Sequence, residues 1–392
     1  MSNGAAVASP EGPRLHVTHV EGMRAIAALV VFLNHAYAQV WEGPKAVAAP
    51  KDGFFGALSY SMVAGHLAVA VFIVVSGFCL TLPVVRNAGV LRGGVGSFLI
   101  RRARRILPPY YAALALSLLL IWTIIGEPTG TLWDVPITVN LWGILSHVFL
   151  LQDLFGTGGI NYVFWSIAVE FQLYFLFPLL VWSWAKFGGG VTVLAALAVG
   201  FALRIAGDGT RLVRVNPHFL GLFALGMLAA YLAYSDKKPY RALRDSSLLS
   251  WLALLGFIGA GALVVGDVIR FRFGYPALDL VVGVFAASTL VAAAKSTESP
   301  LTRVLSWRPL VFIGTISYSV YLIHAPVLQI LWQYGFNPAG VPHKLMFFGL
   351  MTIGLAVVIA LAYGFFRLFE APFMRSSREA AVRPGAAALP TR

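Results

Sequence analysis

Apolar runs of about 20 residues recur from one end of the sequence to the other, and each is long enough to cross a hydrocarbon core about 30 Å thick. Their positions predict transmembrane helices at 22–41, 66–84, 109–126, 163–184, 191–206, 217–234, 248–266, 275–294, 310–332 and 344–367. The stretch 140–152, LWGILSHVFLLQD, is apolar but too short to span, and it reads as an interfacial or re-entrant piece. The fold class is therefore all-α, a polytopic membrane protein of about ten transmembrane helices. Residues 21–370 form one membrane-embedded domain, after a cytoplasmic N-terminal segment at 1–20. The tail 371–392 is too short and too rich in Ala, Pro and Arg to fold.

Composition sharpens this picture. Hydrophobic residues make up 59% of the chain and charged residues only 11%, against about 25% charged in an ordinary soluble protein. The net charge of +13 does not point to nucleic acid, because the basic residues sit between apolar segments and form no stripe interleaved with aromatics. They set orientation instead. With the N-terminus inside, the inner segments hold Arg14, Arg86, Arg92, Arg101, Arg102, Arg104, Arg105, Lys186, Lys237, Lys238, Arg241, Arg244, Lys295, Arg303, Arg308 and Arg367, and the tail adds four arginines. The outer segments hold Lys45, Lys51, Arg204, Arg211, Arg214, Arg270, Arg272 and Lys344. This bias places both termini in the cytoplasm. The first 20 residues lack a signal peptide's apolar core and cleavage site, so the first helix is expected to be retained. Cys79 is the only cysteine, which leaves no intrachain disulfide and no thiolate metal cluster, and no metal is expected.

Ionisable residues inside the apolar runs carry the chemistry, since each costs at least about 2.5–3.5 kcal/mol at a helix centre. Arg24 and His35 are eleven residues apart, so they differ by only about 20° in azimuth and by about 16 Å in height. Glu21 lies near the same face. One stripe thus runs from the cytoplasmic interface to a mid-membrane histidine, a residue suited to proton exchange near neutral pH. Arg101, Arg102, Arg104 and Arg105 precede Pro108 and Pro109. Their guanidinium forks suit phosphate oxygens, although a basic cluster at this position also fixes topology. If that stretch is helical, Arg101, Arg104 and Arg105 share a face. Glu170 sits about two turns inside its helix and calls for a partner such as His or Arg. Ser317, Tyr321 and His324 fall on one helical face, with His324 toward the outer side. Arg204, Arg211 and Arg214 form an outer basic cluster that reads as interface anchoring or as a cradle for an anionic acceptor. His66 lies near a helix end and reads as interfacial.

In order along the chain, five segments resemble the motifs of the acyltransferase 3 family of membrane acyltransferases. They are Glu21-Gly22-Met23-Arg24 with His35, Phe72 to Phe78, Arg101 to Ile106 with Pro108 and Tyr110, Trp165-Ser166 through Glu170 and Tyr174 to Pro178, and Ser317-Tyr318 through Tyr321, His324 and Pro326. The resemblance implies transfer of an acyl group, commonly acetyl from acetyl-CoA, to a hydroxyl of a carbohydrate, glycolipid or small-molecule acceptor. It also implies a place in the cell inner (plasma) membrane among its lipids. On this reading Arg24, Arg101, Arg102, Arg104 and Arg105 bind acyl-CoA, and Glu21, Tyr318 and Tyr321 bind substrate. His35, Glu170 and His324 are catalytic, with His35 as general base or acyl carrier and Glu170 or His324 orienting it. Members fused to an outer esterase-like domain carry a long C-terminal extension, so the single-domain subtype is expected here. The competing class is a proton-coupled transporter or a membrane protein that binds lipids or natural products, and it is disfavoured because the sequence shows no half-to-half repeat.

Overall fold

The computed structural model describes residues 17–45, 48–50, 53, 55–56, 58, 65–134, 139–156, 159–266 and 274–374. Arg14, Lys51, Arg270, Arg272 and the four tail arginines of the charge tally lie outside the described residues, as do most of the two terminal segments.

Among the described residues the chain is all-helical. The principal helices are α1 (Thr18–Trp41), α2 (Gly65–Arg86), α3 (Gly94–Thr123), α4 (Phe164–Phe187), α5 (Gly189–Ala206), α6 (Phe219–Tyr234), α7 (Leu248–Gly266), α8 (Gly274–Lys295), α9 (Arg308–Thr315), α10 (Ser317–Phe336) and α11 (His343–Met374). Seven of these, and α6 taken together with the short turn before it from Arg211, are long and apolar enough to cross a membrane, and the bent pair α9–α10 adds a ninth. α7 carries no charged residue along its 19 positions and packs against α8. Each of the ten predicted spans therefore has a helical counterpart. The segment expected to be interfacial forms two short helices, Leu141–Val148 and Gln152–Phe155, neither long enough to span. Leu119, Trp122, Leu179, Leu194, Ile205, Ile258, Ile353 and Leu361 are exposed on the outside of the bundle. That placement costs free energy in water and none against lipid tails.

Two boundaries depart from the sequence reading, and both shape the site. α3 starts at Gly94, well before the start expected at 109, and runs through Pro108 and Pro109. The arginine run is therefore part of the membrane helix, rotated with it. The expected single span at 310–332 is instead broken at Ile316 and bent by 73°, which gives Ser317 to His324 a helix direction of their own.

Helix packing is close where side chains are absent. A Cβ on Gly77 of α2 would overlap the Phe223 carbonyl of α6, and one on Gly226 of α6 would overlap the Val74 carbonyl of α2. This small-residue contact lets two membrane helices approach backbone to backbone. Between α4 and α5 the chain reverses at Gly188, whose φ of 85° is open to glycine. α1 runs through the middle of the assembly, against α2, α9 and α10.

Candidate active site

α1, α2, α3, α4 and α10 enclose a cavity of about 200 Å³. Its lining gathers residues from all five segments of the sequence reading: Glu21 and Arg24 from α1, Ser76 and Cys79 from α2, Arg102 and Arg105 from α3, Ser166, Glu170 and Tyr174 from α4, and Tyr318 and Tyr321 from α10. Helical rotation selects among the arginines. Arg102 and Arg105, three residues apart, face the cavity, with the Arg102 guanidinium over the Phe98 ring. Arg101 and Arg104 do not line it. Arg101 donates to the Arg92 carbonyl at 2.8 Å, and Arg104 is exposed. The stretch is helical, so Arg101, Arg104 and Arg105 lie on one side of it, but of these only Arg105 lines the cavity, where Arg102 joins it.

The charges in the cavity are only partly neutralised. Arg24 contacts Glu21 at 3.5 Å. Glu170, expected to pair with His or Arg, accepts instead from the Tyr174 hydroxyl at 2.6 Å. The Arg102 Nε is buried with no hydrogen-bond partner among the described residues, the condition of a donor placed for a ligand. Tyr318 donates to the Ile106 carbonyl at 3.1 Å, tying α10 to the proline-containing turn of α3. Glu370, which the sequence reading passed over, is buried in a π-helical turn of α11, accepts from Ser319 at 2.7 Å and lies within electrostatic reach of Arg24 and Arg105.

At its inner end the cavity is bounded by Tyr321 and Ser166, whose hydroxyls meet at 2.6 Å. The Tyr321 ring packs on that of His324 with 5.7 Å between centroids. Behind it His324 and His35 stack 11° from parallel, with His35 Nδ1 and His324 Nε2 only 2.7 Å apart. The hydrogen bonds fix the proton positions. His324 Nδ1 lies 3.1 Å from the Val320 carbonyl, which can only accept, so that nitrogen carries the proton. His324 Nε2 is then the acceptor, and His35 Nδ1 donates to it. His35 Nε2 is left with a free lone pair, on a ring that is half-buried and packed edge-on against Tyr162. His324 thus stands to His35 as a carboxylate stands to the histidine of a hydrolytic triad. Of the two residues expected to orient His35, His324 is the one in contact with it.

A buried amide pair holds this register. Gln39 donates to the Gln329 Oε1 at 2.7 Å, and Thr131 donates to the same oxygen at 2.9 Å. These lie about one turn beyond His35 and His324 on the same two helices. The outer arginines have local partners: Arg204 pairs with Asp208 at 3.7 Å, and Arg211 donates to the Phe155 carbonyl. Arg214 opposes the effect of burial on Asp153, whose carboxyl is nonetheless raised to about 7.

These features define the class, a multi-pass helical membrane protein whose intramembrane ionisable side chains converge on one internal cavity and the histidine pair behind it. The chain belongs to the acyltransferase 3 family, whose acyltransferase domain matches residues 17–367. It is 24% identical over 343 residues to the O-acetyltransferase OatA of Staphylococcus aureus, covering 80% of this chain and 51% of that protein. It is 26% identical over 337 residues to YrhL of Bacillus subtilis, by name a candidate peptidoglycan O-acetyltransferase, covering 80% and 49%. The chain spans about half the length of these curated relatives. No solved structure matches it.

Proposed function

We propose that this protein transfers an acetyl group from acetyl-CoA, made on the cytosolic side, to a hydroxyl of a carbohydrate acceptor. The observation that carries this reading is the cavity itself, with Arg24, Arg102 and Arg105 along its wall and the His35–His324 pair beyond its inner end. At about 200 Å³ it is smaller than the roughly 300–1,000 Å³ pockets that enclose a whole drug-sized ligand. It accepts the thioester end of the donor, while the nucleotide stays at the arginine-rich mouth. Arg102 and Arg105 bind donor phosphate oxygens through charge-assisted hydrogen bonds. The sequence charge bias puts this mouth, both termini and the 85–108 segment on the cytosolic side of the plasma membrane.

His35 Nε2 is the reacting nitrogen in either route. As general base it takes the acceptor's hydroxyl proton while the oxygen attacks the thioester carbon, and the departing thiolate takes that proton back. As acyl carrier it attacks the carbon first and releases the thiolate, then passes the acetyl to the hydroxyl in a second step, in which the hydroxyl proton goes to the thiolate. In both, imidazolium character develops on His35 while its Nδ1 proton is held by His324. Arg24, about 16 Å in height from His35 on α1, holds the donor together with Arg102 and Arg105. The O-acetyltransferase names of OatA and YrhL support acetyl as the group and a cell-wall glycan as the acceptor class.

Cys79 tests donor occupancy without any knowledge of the acceptor. It lines the cavity and is exposed to it. Acetyl-CoA should slow alkylation of Cys79 by N-ethylmaleimide, read by mass spectrometry, and thiol release should require an added acceptor or water. Unchanged alkylation at saturating acetyl-CoA would remove the donor from this cavity.

A further inference from the structure

A second group of ionisable side chains lies outside the arginine cavity. Asp279 of α8 is fully buried, and its Oδ2 is 2.9 Å from His218 Nε2 and 3.3 Å from His66 Nε2. A carboxylate oxygen only accepts, so both Nε2 atoms donate to it and both histidines present Nδ1 as a lone pair. The two rings differ in access. His218 is buried, and its Nδ1 has no partner among the described residues, whereas the His66 side chain is 29% exposed. Asp279 Oδ1 is also buried and has no partner among the described residues.

His66 sits among aromatic rings. It stacks on Trp165 at 5.7 Å, 10° from parallel, and packs against Tyr275 at 5.1 Å and Phe219 at 6.3 Å. No Lys or Arg is among these contacts. Trp165 and Tyr275 are both partly exposed.

The cluster adjoins the histidine pair already described. Gly65, just before His66, is in contact with Asn34, just before His35. Trp165 is followed by Ser166, the residue bonded to Tyr321, and Tyr162 packs on His35. The start of α4 thus touches all three places, with the arginine cavity reached through Ser166 and the His66 cluster through Trp165.

We infer that the His66–Asp279 cluster binds the acceptor as a neutral sugar, with a hydroxyl donating to His66 Nδ1 and the ring against Trp165 and Tyr275. Aromatic faces carry negative charge density that suits the weakly positive C–H bonds of a sugar ring. A buried carboxylate disfavours an anionic ligand beside it. Asp279 fixes the His66 tautomer, and the His66 Nδ1 is the polar group left to meet a hydroxyl. The inference rests on the acyltransferase reading for the word acceptor, but sugar binding stands by itself.

The test uses full-length protein in detergent and tetrasaccharides of N-acetylglucosamine and of glucose as probes. Diethyl pyrocarbonate modifies neutral imidazole, and mass spectrometry reads His66 separately from the other histidines. A tetrasaccharide should protect His66 in the wild type and not in Trp165→Ala. Asp279→Asn should raise the KM for that saccharide ~10-fold, about one charge-assisted hydrogen bond, with acetyl-CoA affinity unchanged. Protein that binds acetyl-CoA but leaves His66 open to the reagent under every saccharide overturns the sugar site alone, as does protection that persists in Trp165→Ala. Protection of His66 in protein that binds no acetyl-CoA upholds the sugar site and sinks the transferase reading.

Discussion

Replacing His324 separates an orienting role from a proton-transfer role, because its proton is committed to Val320 and its lone pair to His35. In His324→Phe the ring volume is kept but the acceptor for His35 Nδ1–H is lost. Leaving that donor unsatisfied in a buried site costs about 1–3 kcal/mol, and His35 escapes the cost by moving its proton to Nε2. The reactive tautomer then falls in population by roughly 5- to 150-fold, and turnover falls at least as far. His324→Gln restores an acceptor near the same position through its amide oxygen, so it should stay within about tenfold of wild type, well above the Phe variant. The assay is thiol release from acetyl-CoA with the acceptor present, with donor affinity measured on the same preparations as a control for folding. If His324→Phe turns over like wild type, the tautomer argument is wrong. If His324→Gln is as inactive as His324→Phe, His324 must itself exchange a proton, and the base role moves to α10.

Two further outcomes follow from the arginines and from Asp153. Arg102→Ala and Arg105→Ala should each weaken acetyl-CoA binding by ~10-fold or more, the worth of a hydrogen bond to a charged group, while Arg104→Ala, on the exposed side of α3, should leave it unchanged; titration calorimetry on the three variants checks this. The Asp153 carboxyl, raised by burial to about 7, holds its proton more tightly in the folded protein than in the unfolded chain, so its contribution to stability is full at low pH and is lost as pH rises from about 4 to about 7. Asp153→Asn should therefore raise the unfolding temperature more at pH 8 than at pH 5, and an equal shift at both would show that the carboxyl is not perturbed.

The spans were legible because each is a long, predominantly apolar run, and so was the α1 stripe, because helix geometry alone relates Glu21, Arg24 and His35. Pro108 and Pro109 misled at the next level. Proline favours a helix start, but a membrane helix can continue through one, and α3 runs back to Gly94. That extension is why Arg102 and Arg105 face the cavity and Arg101 and Arg104 do not. The break at Ile316 has no Pro at the junction to announce it. Contacts between distant residues left no local trace either. His35 and His324 are 289 positions apart, Gln39 and Gln329 are 290 apart, and His66 and Asp279 are 213 apart. Glu370 had only a weak signal, a lone carboxylate three residues past the last apolar run, and the structure buries it because α11 continues to Met374.

The central claim is that His35 Nε2 handles the transferred proton or acetyl, and His35→Ala tests it most directly. A small apolar side chain at this depth is inexpensive in a bilayer, so the variant should insert, fold and bind acetyl-CoA as the wild type does. Its rate of acetyl transfer, followed by thiol release and by mass of the product, should fall by at least the roughly 10²–10⁴-fold of a lost general acid–base group. Wild-type turnover in His35→Ala, and in its double variant with His324→Ala, would contradict histidine catalysis in this membrane protein.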